Sequence, residues 1–554
     1  MRIFKISIII ILGLIIISYS CFKIYWYFSI KSIKNKVDEN LFTGAIFEQN
    51  RTIEKLNEAF VNKSIIGFGE ATHGTQEIRD AFCDLAKMLV EKGKINVIAF
   101  AERDFCESLS TNYFITGDSS VHIGQMLFPY SSKKEKELIL WVQEFNKTKA
   151  NNHKIWILGL DIFNTRSAAF QILKMANKIN IELTSFQKQA LNDISGLPFF
   201  YNIYKQKYSL NQINGICDSL SAALSNIRLK DKMATIDLFV NVLENFRCSI
   251  ELSYNHPDDL RDNSMFKNLN WIRNQRSAKV LIFGHDAHLE KMVGNTLSSK
   301  VKRLGHYIYK AYPEDYVNIG SEVTKGKYRS GPNKRIFRIP EDFNKIGNIL
   351  EQCTQNISNG YLFWNDDKII QTFFEKDRYI TFGLLDTDVP TDPLHKRSVD
   401  AFDILYWTRN SSPLIATSIN NFTFLHAMDK RDIKNVLKNG SLSLSIQSSF
   451  IPISVDNFNS SPYIGVNMFS KKKSTGYYLF KLENLDSDQN FNLKISSICD
   501  SLNIFLYGES SIEYKFKNFK VGQNKLDFKS LLYDGESYHM TYMDRTAVAI
   551  HLKY

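Results

Sequence analysis

Seven cysteines among 554 residues, none of them in a CxxC pair or a regular spacing, exclude a disulfide scaffold. Cys83 and Cys353 fall within helix-like apolar patterns, so the thiols read as buried hydrophobes rather than nucleophiles. No G-x-S-x-G elbow occurs, which removes an ordinary serine nucleophile. The absence of HExxH removes the commonest zinc-protease signature. Internal repeats and low-complexity tracts are lacking as well. The formal net charge of +11 is spread along the chain, with no basic run interleaved with aromatics. Nucleic acid is therefore not an expected partner, and anionic lipid headgroups or soluble anions suit such a balance better.

What is present begins with an apolar amino terminus. Arg2 and Lys5 precede an uncharged run from Ile6 to Phe22, and after Lys23 come Tyr25, Trp26, Tyr27 and Phe28. Flanking lysines and an interfacial aromatic cluster suit a signal-anchor or transmembrane segment over residues 1–28. A cleaved signal is the rival, and the Ser18-Tyr19-Ser20-Cys21 stretch is a poor lipobox because Ser18 replaces leucine. Either way the rest of the chain is expected outside the cytoplasm. A Lys-rich juxtamembrane linker is expected over residues 29–50.

Short apolar runs at Ser64–Phe68, Asn96–Ala101, Ile155–Leu160 and Lys279–Phe283 alternate with helical patterns. This alternation predicts an α/β domain over residues 51–415, a three-layer sandwich with a mainly parallel sheet. The clearest helix has Thr75 as N-cap, Ile78, Phe82, Leu85 and Leu89 on one face, and Gly93 at its end. From Asn180 to Arg276 the pattern is helical, with Ile236, Val240, Leu243 and Phe246 as a stripe, which predicts a helical insertion. A helix through Ile346, Ile349 and Cys353 and strands at Tyr361–Trp364 and Phe402–Trp407 follow. Over residues 420–554 short alternating strands, such as Ile512, Tyr514 and Phe516 opposite Glu513, Lys515 and Lys517, predict a C-terminal all-β accessory domain.

Each of the four early strands ends in groups able to do chemistry: Glu70 and His73, then Glu102 and Arg103, then Asp161, then His285, Asp286 and His288. In an open parallel sheet the carboxyl ends share one edge and ligands bind there, so these groups are expected to converge. A histidine beside a carboxylate can take a proton from water while Arg103 or another donor stabilises an oxyanion, which points to hydrolysis. Bland readings stand beside this one. Glu70 is also placed to favour a helix N-terminus, Glu102 to pair with Arg103, and Asp161 to cap the next helix through Asn164 and Thr165. Arg261 and Asn268, seven apart on one helix face, suit substrate anchors or a structural salt bridge. Glu70, His73, Glu102, His285 and His288 also offer enough nitrogen and oxygen ligands for zinc or manganese.

The ordered set Gly69-Glu70-Ala71-Thr72-His73-Gly74-Thr75 with Glu77, Glu102, Gly159-Leu160-Asp161, Arg261-Asp262 with Met265 and Asn268, and His285-Asp286-Ala287-His288 resembles the motifs of erythromycin esterases. The resemblance covers roughly residues 45–415. It implies a three-layer α/β fold related to haem- and metal-binding bacterial proteins. It also implies hydrolysis of small-molecule esters or lactones, as in the family's macrolide-cleaving members; a metal-independent hydrolase is the expectation, with a metal-dependent hydrolase in the same pocket and a non-enzymatic tethered protein binding a metal, haem or glycan as the alternatives. The family's general base for water corresponds to His73, oriented by Glu70, with the later histidines completing the pocket. Asp286 stands where the family often has asparagine, and the β-rich tail lies outside the basic family domain, so substrate does not transfer with the motifs.

Overall fold

The computed structural model describes residues 2–44, 50–117, 132–196, 207–226, 233–255, 257, 259–292, 302–330, 335–339, 346–354, 357–364, 367–375 and 401–414, and the backbone of short strands between 441 and 553. In chain order the elements are α1 (Arg2–Asn40), β1 (Leu41–Thr43), α2 (Asn50–Ala59), β2 (Ile65–Glu70), α3 (Gln76–Glu91), β3 (Val97–Asp104), α4 (Phe105–Thr116) and α5 (Lys133–Lys147). Next come β4 (Trp156–Asp161), α6 (Thr165–Ile179), α7 (Ser185–Gly196), α8 (Leu210–Ser225), α9 (Met233–Asn255), α10 (Leu260–Arg276), β5 (Val280–His285) and α11 (Asp286–Leu289). Then follow α12 (Leu304–Ala311), β6 (Tyr316–Ser330), β7 (Arg335–Arg338), α13 (Ile346–Cys353), β8 (Asn359–Leu362), α14 (Lys368–Glu375) and β9 (Ile404–Ser411).

The chain divides into two compact units, the first made of Met1–Ile95, Lys279–Ser330 and Ile336–Leu414. Its sheet runs in the order β1-β8-β9-β6-β2-β5, with β7 against β6. Neighbours from β9 to β5 are parallel, whereas β8 is antiparallel to both β9 and β1. The sheet is thus mixed, with a parallel centre and an antiparallel edge. Every residue of β2 and β5 is buried, which accounts for their unbroken apolar runs. Helix α3 follows its expected pattern, and Gly93 takes the positive φ of 63° that ends it.

Residues 29–40, expected as a linker, instead continue α1 as one helix of 39 residues. Ile30, Ile33 and Val37 recur at helical spacing and are buried with Leu41, Ile349, Leu350 and Cys353 of α13, Phe374 of α14, and Trp407. Burying that stripe is what keeps the helix going: each aliphatic side chain removed from water contributes about 2 kcal/mol. The amino-terminal part is the reverse, with Ile11, Leu12, Leu14, Ile15, Ile16 and Ile17 all exposed. Among the described residues, the helical stretch Ile11–Asn40 is long and apolar enough to cross a membrane.

The second unit comprises Asn96–Ala278, Gly331–Arg335 and Ile415–Tyr554. Here β3 and β4 pair in parallel, Val97 opposite Trp156 through Phe100 opposite Gly159, and the register then shifts so that Asp104 faces Asp161. A Cβ on Gly159 would lie 2.1 Å from the Arg103 carbonyl oxygen, so glycine is what lets this irregularity close. The expected helical insertion consists of α7 to α10, with α9 packed on α8 and α10 and on the preceding α6. Its buried stripe is Ile236, Phe239, Leu243, Phe246 and Ile250, while Val240 is exposed because it lies one residue off the stripe. From Ser441 to Lys553 every described element is a strand and every described pairing is antiparallel. Of the stretch Ile512–Lys517 only Tyr514–Lys515 lies within the described residues.

Candidate active site

Strand β2 delivers Glu70, fully buried, at its carboxyl end. The loop after it turns tightly, Gly74 N–H donating to the Thr72 carbonyl at 2.7 Å, and returns His73 onto Glu70. His73 Nδ1 lies 2.9 Å from Glu70 Oε1. Arg79, one turn into α3, donates from Nη2 to that same oxygen at 3.0 Å and lies over the Phe283 ring at 5.0 Å. The guanidinium neutralises the buried carboxylate, and a carboxylate only accepts. Nδ1 of His73 is therefore assigned the proton and Nε2 the lone pair.

His285 ends β5, register partner of Glu70, and its ring centroid is 4.6 Å from that of His73. The Ala287 backbone N–H donates to His285 Nδ1 at 3.2 Å, so the neutral ring carries its proton on Nε2. Two adjacent imidazoles thus differ in tautomer, one presenting a lone pair and the other an N–H. His288 is buried in α11, and Asp286 accepts from the Ser321 backbone N–H at 3.3 Å through either oxygen. Ser321 Oγ in turn accepts from the Ala71 backbone N–H, tying the two loops together. Gly69 leaves room for this: a Cβ there would sit 1.9 Å from Asp286 Oδ1.

The stretch after β9 clasps the His73 loop. Gln76 N–H donates to the Ser412 carbonyl at 3.0 Å, Leu414 N–H to the Gly74 carbonyl at 2.8 Å, and Ser412 N–H to Glu77 Oε2 at 2.9 Å. Thr75 leaves the N-cap role unfilled, its hydroxyl pairing with that of Thr72 instead.

In the second unit the expected residues are arranged as braces. Asp161, fully buried, is gripped by Arg261 Nε at 3.0 Å to both oxygens and by Nη2 at 2.5 Å, and it accepts from the Ile162 N–H at 2.8 Å. Asn268 donates to the Leu160 carbonyl at 2.8 Å and exchanges hydrogen bonds with Asn245 at 2.7 and 2.8 Å. Arg103 is buried, donating to Thr111 Oγ1 at 3.2 Å beneath the ring of Phe100. Glu102 is half-buried near the end of β3. Asn164, rather than Asp161, caps α6. Asp104 caps α4, accepting from Glu107 N–H at 2.9 Å and from Asn164 N–H at 3.0 Å. Burial first and the Glu107 charge second push its carboxyl well above the usual range. Burial likewise raises the Cys217 and Cys353 thiols to about 12, where they stay protonated and unreactive.

The erythromycin esterase family profile matches residues 90–410, more than half of the 554-residue chain. The chain belongs to the erythromycin esterase family. Membership makes it a hydrolase, and its α/β fold agrees with two solved structures, each at a TM-score of 0.58. A Bacillus cereus protein is 19% identical, the alignment covering 70% of this chain and 99% of that one. A succinoglycan biosynthesis protein is 16% identical, covering 69% and 97%. In sequence, "Putative hydrolase YbfO" of Bacillus subtilis (strain 168) is 24% identical, covering 52% of this chain and 71% of its own.

Arg79, Ser321, Asp104 and Asn245 were not singled out from sequence. Arg79 carried a signal, since it lies with Cys83, Ala86 and Val90 on a stripe where every other member is small or apolar. Ser321 carried none, because its role depends on a contact 250 residues away.

Proposed function

We propose that this family member cleaves an ester or lactone with water activated at His73 Nε2. The observation that carries the reading is the pair of hydrogen bonds fixing opposite tautomers on two rings 4.6 Å apart. Water gives a proton to Nε2 as its oxygen adds to the carbonyl carbon. The His285 N–H then faces the developing oxyanion, and Glu70 compensates the imidazolium formed on His73. When the acyl C–O bond breaks, the imidazolium returns the proton to the departing alkoxide, leaving an acid and an alcohol. His288 is proposed to complete the site beside His73 and His285.

The reading needs no metal. Glu70 Oε1 already accepts from two donors, one of them the Arg79 guanidinium at 3.0 Å, whose positive charge opposes a divalent cation on this carboxylate. A chelator is accordingly expected to leave turnover unchanged. Replacing His73 with Ala is expected to lower turnover of a chromogenic ester about a thousandfold with unfolding unchanged. Retained turnover in His73→Ala would falsify the assignment.

We also propose that α1 anchors the chain, with the remainder outside the cytoplasm. Digestion by external protease in intact spheroplasts supports that orientation, and full protection until lysis refutes it.

A further inference from the structure

Helix α1 does not merely tether the first unit; it fixes which end of the sheet meets the membrane. Trp26 Nε1 donates to Gln352 Oε1 at 3.2 Å, two residues before Thr354. The Thr354 carbonyl accepts from Arg409 Nη2 at 2.6 Å, near the carboxyl end of β9. Lys36 pairs with Asp367 at 3.5 Å, and the Asn40 carbonyl accepts from Phe363 N–H, just past Leu362, which lies opposite Leu405 at the start of β9. The helix therefore runs antiparallel to β9, from the carboxyl edge of the sheet at Trp26 to its amino edge at Asn40. Because β9, β6, β2 and β5 are parallel, their carboxyl ends share the Trp26 side.

Residues 11–25 project beyond that edge as continuous helix with exposed apolar side chains. Four residues separate Phe22 from Trp26, a rise of about 6 Å. Tyr25, Trp26, Tyr27 and Phe28 are of the types that settle at a headgroup layer. Strands β2 and β5 stand two and three places from β9, about 10 and 15 Å sideways.

We propose that the edge bearing Glu70, His73 and His285 faces the bilayer at close range, and that the substrate is an amphiphile whose ester sits at the membrane surface while its apolar part stays in the lipid. This rests on the hydrolase reading and on α1 as a membrane helix. The same balanced step applies: water adds to the acyl carbon, the acyl C–O bond breaks, and acid and alcohol leave on either side of the interface.

The test uses the full chain in vesicles of phosphatidylglycerol and phosphatidylethanolamine carrying headgroup nitroxides. Fluorophores go on Asn410→Cys, exposed at the carboxyl edge, or on Glu314→Cys, exposed at the amino edge, both with Cys21→Ser and with the singly substituted Cys21→Ser chain as blank. Quenching of the first label and not the second is expected, and the reverse overturns the proposal. In parallel, 4-methylumbelliferyl oleate held in vesicles is compared with water-borne 4-methylumbelliferyl butyrate. The vesicle-held ester should be favoured about tenfold. A flexible Gly/Ser insertion of about 20 residues between Phe28 and Ser29 should abolish that preference while sparing the soluble ester. Absence of the preference in the unaltered chain overturns the substrate class, and a preference that the insertion leaves unchanged overturns the role of the rigid helix in it. Turnover of neither ester, with Asn410 quenched, refutes the hydrolase reading and leaves the membrane-facing edge standing.

Discussion

Glu70 and Asp161 are made of the same parts and do opposite things. Each is a fully buried carboxylate closing a parallel strand, and each accepts from an arginine on a nearby helix. Arg261 and the Ile162 N–H occupy both oxygens of Asp161, which makes it a strut between β4 and α10. Arg79 reaches Oε1 of Glu70 and shares that oxygen with Nδ1 of a histidine. An arginine beside a buried acid therefore says little about function; what the remaining hydrogen bond reaches decides it.

The largest expected effects come from swapping each acid for its amide. Glu70→Gln and Asp161→Asn should each lose about 3 kcal/mol in urea unfolding, since each leaves its arginine poorly matched. Turnover should separate them. Measured well below both unfolding transitions, Glu70→Gln is expected to fall about a hundredfold and Asp161→Asn by about threefold at most. Equal losses would erase the distinction between relay and strut.

The glycines beside the two clusters sharpen the comparison at smaller scale. A Cβ at Gly159 would meet the backbone of Arg103 and Asp104, which cannot yield, whereas one at Gly69 would meet mainly the Asp286 carboxylate, which can swing. Gly159→Ala is expected to cost about 3 kcal/mol and Gly69→Ala about 1 kcal/mol, read as thermal midpoints. Turnover should order them the other way, because Asp286 adjoins His285. A turnover loss confined to Gly159→Ala would count against the first cluster as the working one.

The smallest effect is on pH dependence. Burial first, and then the charges of Glu107 and Asp161, keep a proton on Asp104 in the folded chain that the unfolded chain has lost. Stability from this group should decline as pH rises from about its ordinary 3.8 through the raised folded value, and level off above it. Urea midpoints across that window should show the slope, and Asp104→Asn should flatten it. An identical slope in the variant would assign the titration elsewhere.

The strands were readable because buried parallel strands are unbroken apolar runs, and α3 because its cap, stripe and glycine agree. Glu70, His73 and His285 were readable as strand-end groups, and the structure joins them. The tautomers were not, since they depend on a backbone N–H two residues beyond His285 and a shared oxygen on Glu70. Nor was the role of Arg261, whose spacing from Asn268 fits an anchor and a brace equally. The extent of α1 was hidden for a different reason: the Lys-rich stretch from Lys31 to Lys36 reads as solvated, yet Ile30, Ile33 and Val37 thread an apolar stripe between the charges.

That stripe also sets a schedule for synthesis. Apart from Leu41, its partners begin at Ile346, 306 positions after Asn40, and the sheet of the first unit is not complete until β9 ends at Ser411. At about 5–20 residues per second the ribosome needs roughly 15–60 s to cover the first of those gaps. Throughout that interval the apolar part of α1 is already made while Ile30, Ile33 and Val37 still lack α13, α14 and β9 to pack against. The last strand of that sheet to be translated is the one that locks the first helix in place.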